Sequence, residues 1–396
     1  MHNTFSRSDV NFSCSTGLDR VRRTSKRPAG TVPSGDAVDL SMGEPDFSAP
    51  VAVVDAMRSA VQDGYSHYGD LNGDPELRKE IARQSTLRSN QKVVPAQVSI
   101  GHGATGVLAS LVLALVSPGD RVVIPEPTYS LYSDLVEMVG GQVIWVPLQS
   151  DLQLDVPAIL SAARGAKLLI LCNPGNPTGA VFPQEDLRAI GKGLQGSETV
   201  VVSDEAYSAF TYGADLTSAI SVPELTERVV VVDTLSKSFA LTGFRLGWSI
   251  APPAIAAAIS QVSRMIAGAP NAAVQRAAIV ALRQGHSLYS NMQDEYSRRR
   301  EFVVTHLSKV QGVSFEAPQG AFYAFFKHGV GATSDEVRLH LANAGVLLRS
   351  GSEYGASGEG YLRMSFAASL GEIAKGIDRI ALGLGQMGVD DRPHSI

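Results

Sequence analysis

Cysteine is scarce in this sequence, with only Cys14 and Cys172 among 396 residues. Two cysteines cannot build a disulfide framework or a four-ligand zinc site, so we expect no metal centre. The low cysteine content also fits a reducing cytoplasm. The sequence has no apolar run close to the roughly 18 residues that a membrane helix needs, so we expect no membrane attachment.

A long basic run is also absent, and the formal net charge is -5. Both observations argue against nucleic acid or an anionic membrane as the main partner. What is present, 44% hydrophobic and 18% charged residues, is typical of a globular chain long enough for two domains. The first 30 residues are rich in Ser, Thr and Arg and lack the apolar core of a secretory signal. We expect residues 1–38 to be a flexible arm that orders partly against a partner subunit or not at all.

The stretch from Val230 to Trp248 places Lys237 directly after an apolar run of strand length. Burial penalises the ammonium form of a lysine and makes the neutral amine nucleophilic, as a Schiff base with an aldehyde cofactor requires. Arg245, a little further on, could grip a phosphate with two donors. A solvated loop that carries both charges is an equally good interpretation of this stretch alone.

Between about residues 95 and 250, apolar segments of strand length alternate with helical segments, which predicts a mostly parallel sheet wrapped by helices on both faces. Polar motifs follow one strand after another and should meet at one edge of that sheet. These motifs are 101–106, 127–129, 173–179, 204–207 and 234–245. We therefore predict an α/β protein. Its large domain covers residues 51–287, and residues 39–50 and 288–396 form a smaller α+β domain.

The turn at 101–106 reads GHGATG and joins a predicted strand to a helix that we expect over Val107–Val116. Such a turn can hold a phosphate on free backbone N–H groups and the helix dipole. It also spells GxGxxG, and Glu126 lies where a ribose-binding acid would be wanted, so a dinucleotide site stays open here. A helix that merely starts after glycines is the commonest alternative.

Other polar residues are ambiguous when taken one at a time. Asp204 follows a buried strand and could face a ligand or cap the next helix. Gly43 lies in a turn that a ligand could approach closely, although a plain tight turn fits as well. Arg363 lies within an apolar strand and could simply point to solvent.

Several motifs together resemble the class I/II aminotransferases, which are pyridoxal-phosphate enzymes of fold type I. The resemblance runs from Asp39 to Ala381 and rests on NPGNPTG at 173–179, SDEAY at 203–207, the SK…GFRLGW block and the late YLRMSF strand. Their order and separations agree as well. The dinucleotide interpretation explains none of these later motifs and is dropped.

The resemblance implies pyridoxal 5'-phosphate as cofactor and a seven-stranded sheet in the large domain. Lys237 would carry the cofactor as a Schiff base and then move the proton, while Asp204 would pair with the pyridine nitrogen. Tyr207 and Asn176 would bond the ring oxygen, and Tyr129 would stack on the ring. The remaining cofactor ligands would hold the phosphate; they are Gly103, Ala104, Thr105, Thr234, Ser236 and Arg245, with Tyr68 from the neighbouring subunit of a homodimer.

For the substrate, the resemblance implies that Arg363 binds the α-carboxylate as a fork, helped by Asn176 and the backbone of Gly43. The expected reaction moves an amino group from an L-amino acid to a 2-oxo acid. A β-eliminating carbon–sulfur lyase or a decarboxylase would use the same residues and is the alternative. A cofactor-binding regulator without turnover is a third, which the intact catalytic set and the short segment before the match disfavour.

The sequence also departs from the family pattern. Thr105 replaces a lysine found in one dicarboxylate-using branch, Gly106 replaces a larger polar residue, and Ser350 replaces a common proline. Residues 266–270 lack the hydroxyls often found in that loop. No clear second arginine is available for a side-chain carboxylate, although Arg22, Arg23 and Arg264 stay candidates. These departures put a preference for aspartate or glutamate in doubt.

Overall fold

The computed structural model describes residues 13–25 and 35–388. Within them the strands are, in chain order, β1 (Val38–Asp39), β2 (Val98–Gly101), β3 (Arg121–Glu126), β4 (Gln142–Pro147), β5 (Leu168–Cys172), β6 (Val200–Asp204), β7 (Val229–Thr234), β8 (Gly247–Ile250), β9 (Ser314–Phe315), β10 (Tyr323–Lys327), β11 (Val346–Leu347), β12 (Arg349–Ser350) and β13 (Tyr361–Ser365). The α-helices are α1 (Thr16–Thr24), α2 (Val51–Gln62), α3 (Pro75–Ser89), α4 (Gly103–Leu115), α5 (Leu131–Val139), α6 (Val156–Ala162), α7 (Gln184–Gly193), α8 (Leu235–Ser238), α9 (Pro253–Ala267), α10 (Ala272–Gln284), α11 (Ser290–Leu307), α12 (Ser334–Asn343) and α13 (Leu370–Met387).

The large sheet has seven strands in the order β2-β8-β7-β6-β5-β3-β4. Neighbours among β3 to β7 are parallel, whereas β8 runs antiparallel to both β2 and β7. The mostly parallel sheet predicted from the alternating pattern is therefore confirmed. Strand β8 was not predicted, because Gly247–Ile250 follows a polar loop rather than a helix and breaks the alternation.

Apolar burial on both faces explains why this sheet forms. Every residue of β5 is buried, and β7 is buried at all positions except Asp233. Such continuous apolar strands gain stability only when helices cover both sides of the sheet. Leu169 and Val231 belong to one core cluster, and Ile170 and Val232 belong to another. Alternate side chains of these strands therefore pack into the cores on opposite faces of the sheet.

The C-terminal part builds a four-stranded antiparallel sheet in the order β12-β13-β10-β9, while β11 pairs in parallel with β1. We predicted one strand over Val346–Arg349, but it divides into β11 and β12, which join different sheets. A separate core cluster packs around these strands. The division of the chain at residues 51 and 288 stays a prediction.

One helix start differs from the prediction, one helical region divides in two, and one helix was not predicted. Helix α4 begins at Gly103 rather than at Val107, so the glycine turn is already its first turn. The Ala-rich region 251–284, whose composition predicts helix, contains two helices, α9 and α10, and Asn271 caps the second by accepting the backbone N–H of Val274. Helix α13 was not predicted, although a capping box between Ser369 and Glu372 marks its start.

Part of the predicted arm is an ordered helix on its own chain. Helix α1 packs on α5, where the Arg20 side chain donates to the carbonyl oxygen of Glu137 at 2.9 Å. Gly17 is the buried residue of α1, and a Cβ there would lie 2.3 Å from the carbonyl oxygen of Met138. The expectation of a flexible arm is therefore wrong for residues 13–25. Residues 1–12 and 26–34 lie outside the described residues.

Helix α11 is polar as predicted, but Arg299 is buried rather than solvated. Its guanidinium makes two bonds to the Asp46 carboxylate, at 2.7 and 2.9 Å, and a third to Glu295 at 2.8 Å. The helix is thereby tied to the segment that follows β1. Within residues 13–25 and 35–388, no helix combines the length and apolar character that a bilayer crossing demands.

Candidate active site

The polar motifs that follow β5, β6 and β7 meet at one cavity of about 290 Å³. Most of the predicted site residues line it, namely Gly43, Ala104, Thr105, Tyr129, Asn176, Asp204, Tyr207, Thr234, Ser236, Lys237, Arg245 and Arg363. Gly103 lies directly beside Arg245 at its edge. Tyr68 lies outside it, 95% exposed, in a neighbouring cavity of about 1020 Å³ that Arg245 also lines.

Lys237 lies on the one-turn helix α8 directly after β7. The Thr234 hydroxyl caps that turn by accepting the backbone N–H of Ser236 at 3.1 Å. The lysine Nζ donates to the carbonyl oxygen of Gly43 at 2.6 Å. Burial lowers the pKa of Lys237 to about 8, Glu44 opposes this, and Arg363 and Arg245 add to it. A substantial fraction of this amine is therefore neutral, and so nucleophilic, near neutral pH.

Asp204 ends β6 at the floor of the cavity. Its carboxylate accepts from the Tyr132 hydroxyl at 2.8 Å and from the backbone N–H of Ala206 at 3.2 Å. Burial raises the pKa of Asp204, while these two bonds and Lys237 lower it. A buried carboxylate in this position favours a cationic partner in the cavity, such as a protonated ring nitrogen.

Arg363 is 5% exposed and has no carboxylate partner among the described residues. It donates to Asn176 Oδ1 at 2.9 Å and to the carbonyl oxygen of Ser41 at 2.5 Å. Its Nε is buried and lacks a hydrogen-bond partner in the described part of the chain. Because a buried guanidinium is costly without an anion, this geometry favours binding of a carboxylate from outside the chain.

The start of α4 and Arg245 form an anion cradle. Arg245 has a positive φ of 52°, and its guanidinium donates to the carbonyl oxygen of Thr242 at 2.6 Å. A Cβ on Gly103 would lie 2.6 Å from Arg245 Nη2, and one on Gly247 would lie 2.6 Å from the backbone nitrogen of Ala104. The absence of a side chain on Gly103 leaves room for the Arg245 guanidinium, and the absence of one on Gly247 lets β8 pack directly against the start of α4. Free backbone N–H groups and a guanidinium at one point suit a phosphate.

Gly43 is packed differently from what its turn suggested. A Cβ on this glycine would lie 2.1 Å from the hydroxyl oxygen of Tyr323, so a tyrosine of this chain approaches the glycine closely while its backbone still lines the cavity. The hydroxyl of Tyr323 in turn forms a hydrogen bond with that of Tyr207 at 2.7 Å.

Tyr129, predicted to stack on the cofactor ring, contacts another tyrosine of the cavity. Its ring packs edge-on against that of Tyr132, with 5.7 Å between the ring centroids.

Sequence reasoning missed several residues of the cavity, and three of them bear polar groups that contact the predicted ones: Tyr132, Tyr323 and Arg349. The spacing of Tyr132, one helical turn beyond Tyr129, could have indicated that both face the same side. Its bond to Asp204, however, depends on how α5 packs on the sheet. Tyr323 and Arg349 had none, because each faces the cavity only through the pairing of the small sheet. Arg349 lies directly opposite Arg363 in that pairing and forms an ion pair with Glu353 at 3.5 Å.

Glu126, considered for a ribose site, has a different environment. It is 4% exposed and accepts from the Ser357 hydroxyl at 3.0 Å. The residues that line the active-site cavity do not include it. This geometry agrees with the rejection of a dinucleotide site at 101–106.

Comparison with known proteins identifies the family. The sequence model of the family described as aminotransferase class I and II matches residues 35–380. The chain belongs to this family. Among its relatives, it is 33% identical to an aspartate aminotransferase of Pyrococcus abyssi, over 93% of this chain and 97% of that protein. It is 31% identical to the arginine–pyruvate transaminase of Pseudomonas aeruginosa, over 87% and 88% of the two chains.

The solved structures agree with the sequence comparison. The aromatic aminotransferase of Pyrococcus horikoshii superposes with a TM-score of 0.86 at 31% identity, over 93% of this chain and 99% of that one. The protein is therefore an aminotransferase, and it transfers amino groups between amino acids and 2-oxo acids. Members of the family use pyridoxal phosphate, and the residues of the cavity fit that group. Nothing in these comparisons supports the lyase or decarboxylase alternative.

Proposed function

We propose that Lys237 is the amine that carries pyridoxal phosphate and moves the proton during amino-group transfer. The observation that carries this proposal is a buried lysine with a pKa lowered to about 8, in one cavity with Asp204, Arg245 and Arg363. Pyridoxal phosphate supplies an aldehyde that condenses with amines and a ring that accepts electrons from the substrate Cα. Lys237 Nζ, once free, would serve as the base that holds the proton taken from the substrate Cα and as the acid that gives it back in the 1,3-shift.

The other groups of the cavity would bind and orient. Asp204, ionised and held by Tyr132, would keep a proton on the ring nitrogen. The helix start at 103–105, with Thr234, Ser236 and Arg245, would hold the phosphate. The Tyr207 hydroxyl would donate to the ring oxygen, Asn176 would assist it, and Tyr129 would contact the ring face.

Arg363 would bind the substrate α-carboxylate. A carboxylate could satisfy its buried Nε as well as share the terminal nitrogens now bonded to Asn176 and Ser41. A fixed carboxylate places the Cα near Lys237, because both residues line the same cavity. Gly43, whose carbonyl oxygen accepts from Lys237, would also contact the substrate through its backbone.

We also propose a homodimer in which Tyr68 completes the partner's phosphate site. Tyr68 is 95% exposed beside a cavity that Arg245 also lines. Apolar side chains are exposed in the nearby α2 and α9 segments, with Val51 at 74%, Met265 at 78% and Ile266 at 57%. Exposed apolar groups of this size favour burial against a second copy.

A complementation experiment tests both proposals at once. Lys237→Ala should abolish turnover and the absorbance of covalently held cofactor, and Tyr68→Ala should weaken cofactor binding. If sites are shared, mixed refolding of the two variants yields hybrid dimers with one intact site and should restore about one quarter of wild-type activity. No recovery would contradict the shared site, and turnover by Lys237→Ala alone would contradict the role of the lysine.

The relatives' names include aspartate, arginine and aromatic substrates, and one observation favours an acidic one here. Arg349 lines the cavity opposite Arg363 and offers a second guanidinium near the bound substrate. We propose that it attracts a side-chain carboxylate. Arg349→Leu should then lower kcat/KM for aspartate by about tenfold relative to alanine, a change of about 1.4 kcal/mol. An equal loss of kcat/KM for aspartate and alanine would contradict this role and leave Arg349 with only its ion pair to Glu353.

The cell compartment follows from composition alone. We propose a cytoplasmic location, supported by the two free cysteines, Cys14 and Cys172. Fractionation of the native host should find the protein with cytoplasmic markers. Recovery from an oxidising compartment would contradict this.

A further inference from the structure

We propose that Tyr323 is a positioning residue for the amino-transfer site, orienting the Tyr207 hydroxyl through its own hydroxyl and Arg363 through its ring. The inference rests on the proposed roles of Tyr207 and Arg363 and adds a residue to which no motif pointed. Tyr323 lies on β10 and is 1% exposed, and it lines the cavity together with both partners.

The first contact is between two hydroxyls. Tyr207 Oη and Tyr323 Oη are 2.7 Å apart and buried, although 116 residues separate them in the chain. Burial raises the pKa of both phenols, so both keep their protons throughout the working range of pH. One hydroxyl must therefore donate to the other.

The direction of that bond follows from the role of Tyr207. A Tyr207 hydroxyl that donates its proton into the cavity can only accept from Tyr323. A hydroxyl that accepts a hydrogen bond becomes a stronger donor, because the two bonds polarise each other. Tyr323 would thus strengthen the bond from Tyr207 to the ring oxygen of the cofactor and fix its direction.

The position of Tyr323 leaves little room for any other arrangement. Its hydroxyl lies so close to Gly43 that a Cβ added to this glycine would be 2.1 Å from the hydroxyl oxygen. The carbonyl oxygen of the same glycine accepts from Lys237 at 2.6 Å. Tyr323 therefore also packs against the backbone segment that holds the unliganded lysine.

The second contact is between the ring and the guanidinium. The Cζ of Arg363 lies 4.3 Å from the centroid of the Tyr323 ring, close enough for a cation–π interaction. Strands β10 and β13, which carry the two residues, pair antiparallel. Phe325 lies opposite Arg363 and Tyr323 opposite Ser365, so Tyr323 is a diagonal neighbour of the arginine. Contact with this ring restricts the orientations open to the guanidinium, which would help to position it for a carboxylate.

The two contacts can be separated by substitution. Tyr323→Phe removes the hydroxyl and keeps the ring, whereas Tyr323→Leu removes both. Tyr212→Phe is a matched control, because the Tyr212 hydroxyl is also held inside the protein, donating to the carbonyl oxygen of Ala321 at 2.6 Å. Tyr212 does not line the active-site cavity.

The experiment titrates the absorbance of the bound cofactor in the holoenzyme against pH and measures kcat and KM. We expect Tyr207→Phe to raise the titration midpoint and Tyr323→Phe to raise it less, by about 0.5 pH unit, since the ring oxygen loses part of its stabilisation. Tyr207→Phe/Tyr323→Phe should match Tyr207→Phe alone, and Tyr212→Phe should match wild type. Tyr323→Phe should leave KM unchanged, and Tyr323→Leu should raise KM several-fold through Arg363.

The outcomes distinguish this inference from the proposal on which it rests. A shift in Tyr207→Phe without a shift in Tyr323→Phe would overturn the role of Tyr323 and leave that of Tyr207 intact. No shift in Tyr207→Phe would overturn the proposed contact of Tyr207 with the ring, and this inference with it. Equal shifts in Tyr323→Phe and Tyr212→Phe would reduce Tyr323 to a packing residue.

Discussion

The Nζ of Lys237 donates a 2.6 Å hydrogen bond to the carbonyl oxygen of Gly43, which lies 194 residues earlier in the chain. The partner is a neutral carbonyl, and the acids that act on the lysine charge, Glu44 and Asp204, do not outweigh its burial. The contact also joins the turn after β1 to the end of β7. The lysine is therefore held in place in a form that can readily lose its proton.

Replacing Lys237 by methionine should stabilise the cofactor-free protein near neutral pH. The pKa of Lys237 falls from 10.5 to about 8 in the fold, so below pH 8 the folded state pays for a buried ammonium. From pH 8 to 10.5 the folded lysine is neutral while the unfolded one still binds a proton, so the penalty fades. Lys237→Met should raise the free energy of unfolding by about 3 kcal/mol at pH 7 and by only about 1 kcal/mol at pH 10. Urea unfolding at both pH values measures this, and an equal gain at both would contradict it.

Gly103→Ala should weaken cofactor binding through a contact with Arg245. Gly103 and Gly119 have similar positive φ values of 71° and 88°, so alanine at either should cost about 1 kcal/mol of stability. Only at Gly103 would the new Cβ meet a guanidinium, whereas at Gly119 it would have no described atom within 4 Å. Titration of the apoenzyme with pyridoxal phosphate should show an affinity loss of about tenfold or more for Gly103→Ala alone. A similar loss in Gly119→Ala would point to backbone strain instead.

Arg363 and Arg299 are both 5% exposed, yet replacing the first should mainly impair substrate binding and replacing the second should mainly impair stability. Arg299 neutralises Asp46 and Glu295, so Arg299→Ala should lower the free energy of unfolding by about 3 kcal/mol. Arg363 has no such partner among the described residues, and Arg363→Ala should cost less stability but raise KM for amino acids strongly. Thermal unfolding and steady-state kinetics measure the two effects. An amine donor without a carboxylate should be unaffected by Arg363→Ala, and an equal loss would refute the carboxylate role.

Tyr132→Phe should move the acidic limb of the kcat profile to higher pH. The Tyr132 hydroxyl stabilises the ionised form of Asp204 at 2.8 Å, and without it the pKa of Asp204, already raised by burial, should rise further. A hydrogen bond to a charged group contributes about 1.5–3 kcal/mol, so kcat should fall by about tenfold with little change in KM. Rate measurements from pH 5 to 9 would test this, and an unchanged acidic limb would show that Asp204 does not depend on Tyr132.

Much of the fold could be predicted because its signals are local. Continuous apolar runs such as Leu168–Cys172 are buried strands, and their alternation with helices predicted the parallel sheet. Strand β8 was missed because it joins the sheet antiparallel, after only the one-turn helix α8 and a polar loop. Helix α1 was missed because its sequence is mostly polar and the residues on which it packs, in α5, are more than 100 positions away in the chain.

The residues of the site also divide into those that a local motif marks and those that no local pattern marks. Lys237, Asp204 and Arg245 each follow a strand in a recognisable motif, and the carboxyl ends of parallel strands meet at one sheet edge. Their roles stay proposals until the variants above are measured. Tyr323 and Arg349 could not be found in this way, because their strands give no sign of which residue faces the cavity.

The sequence by itself determined the family and the class of fold and was enough to propose the residues of the chemistry, since these depend on residue types and short spacings. The tertiary structure alone decided what surrounds them. It put a carbonyl rather than a carboxylate on Lys237, the hydroxyl of Tyr323 against Gly43, and a second arginine opposite Arg363. These contacts depend on strand register and on how distant segments pack, and those properties are set by the whole chain.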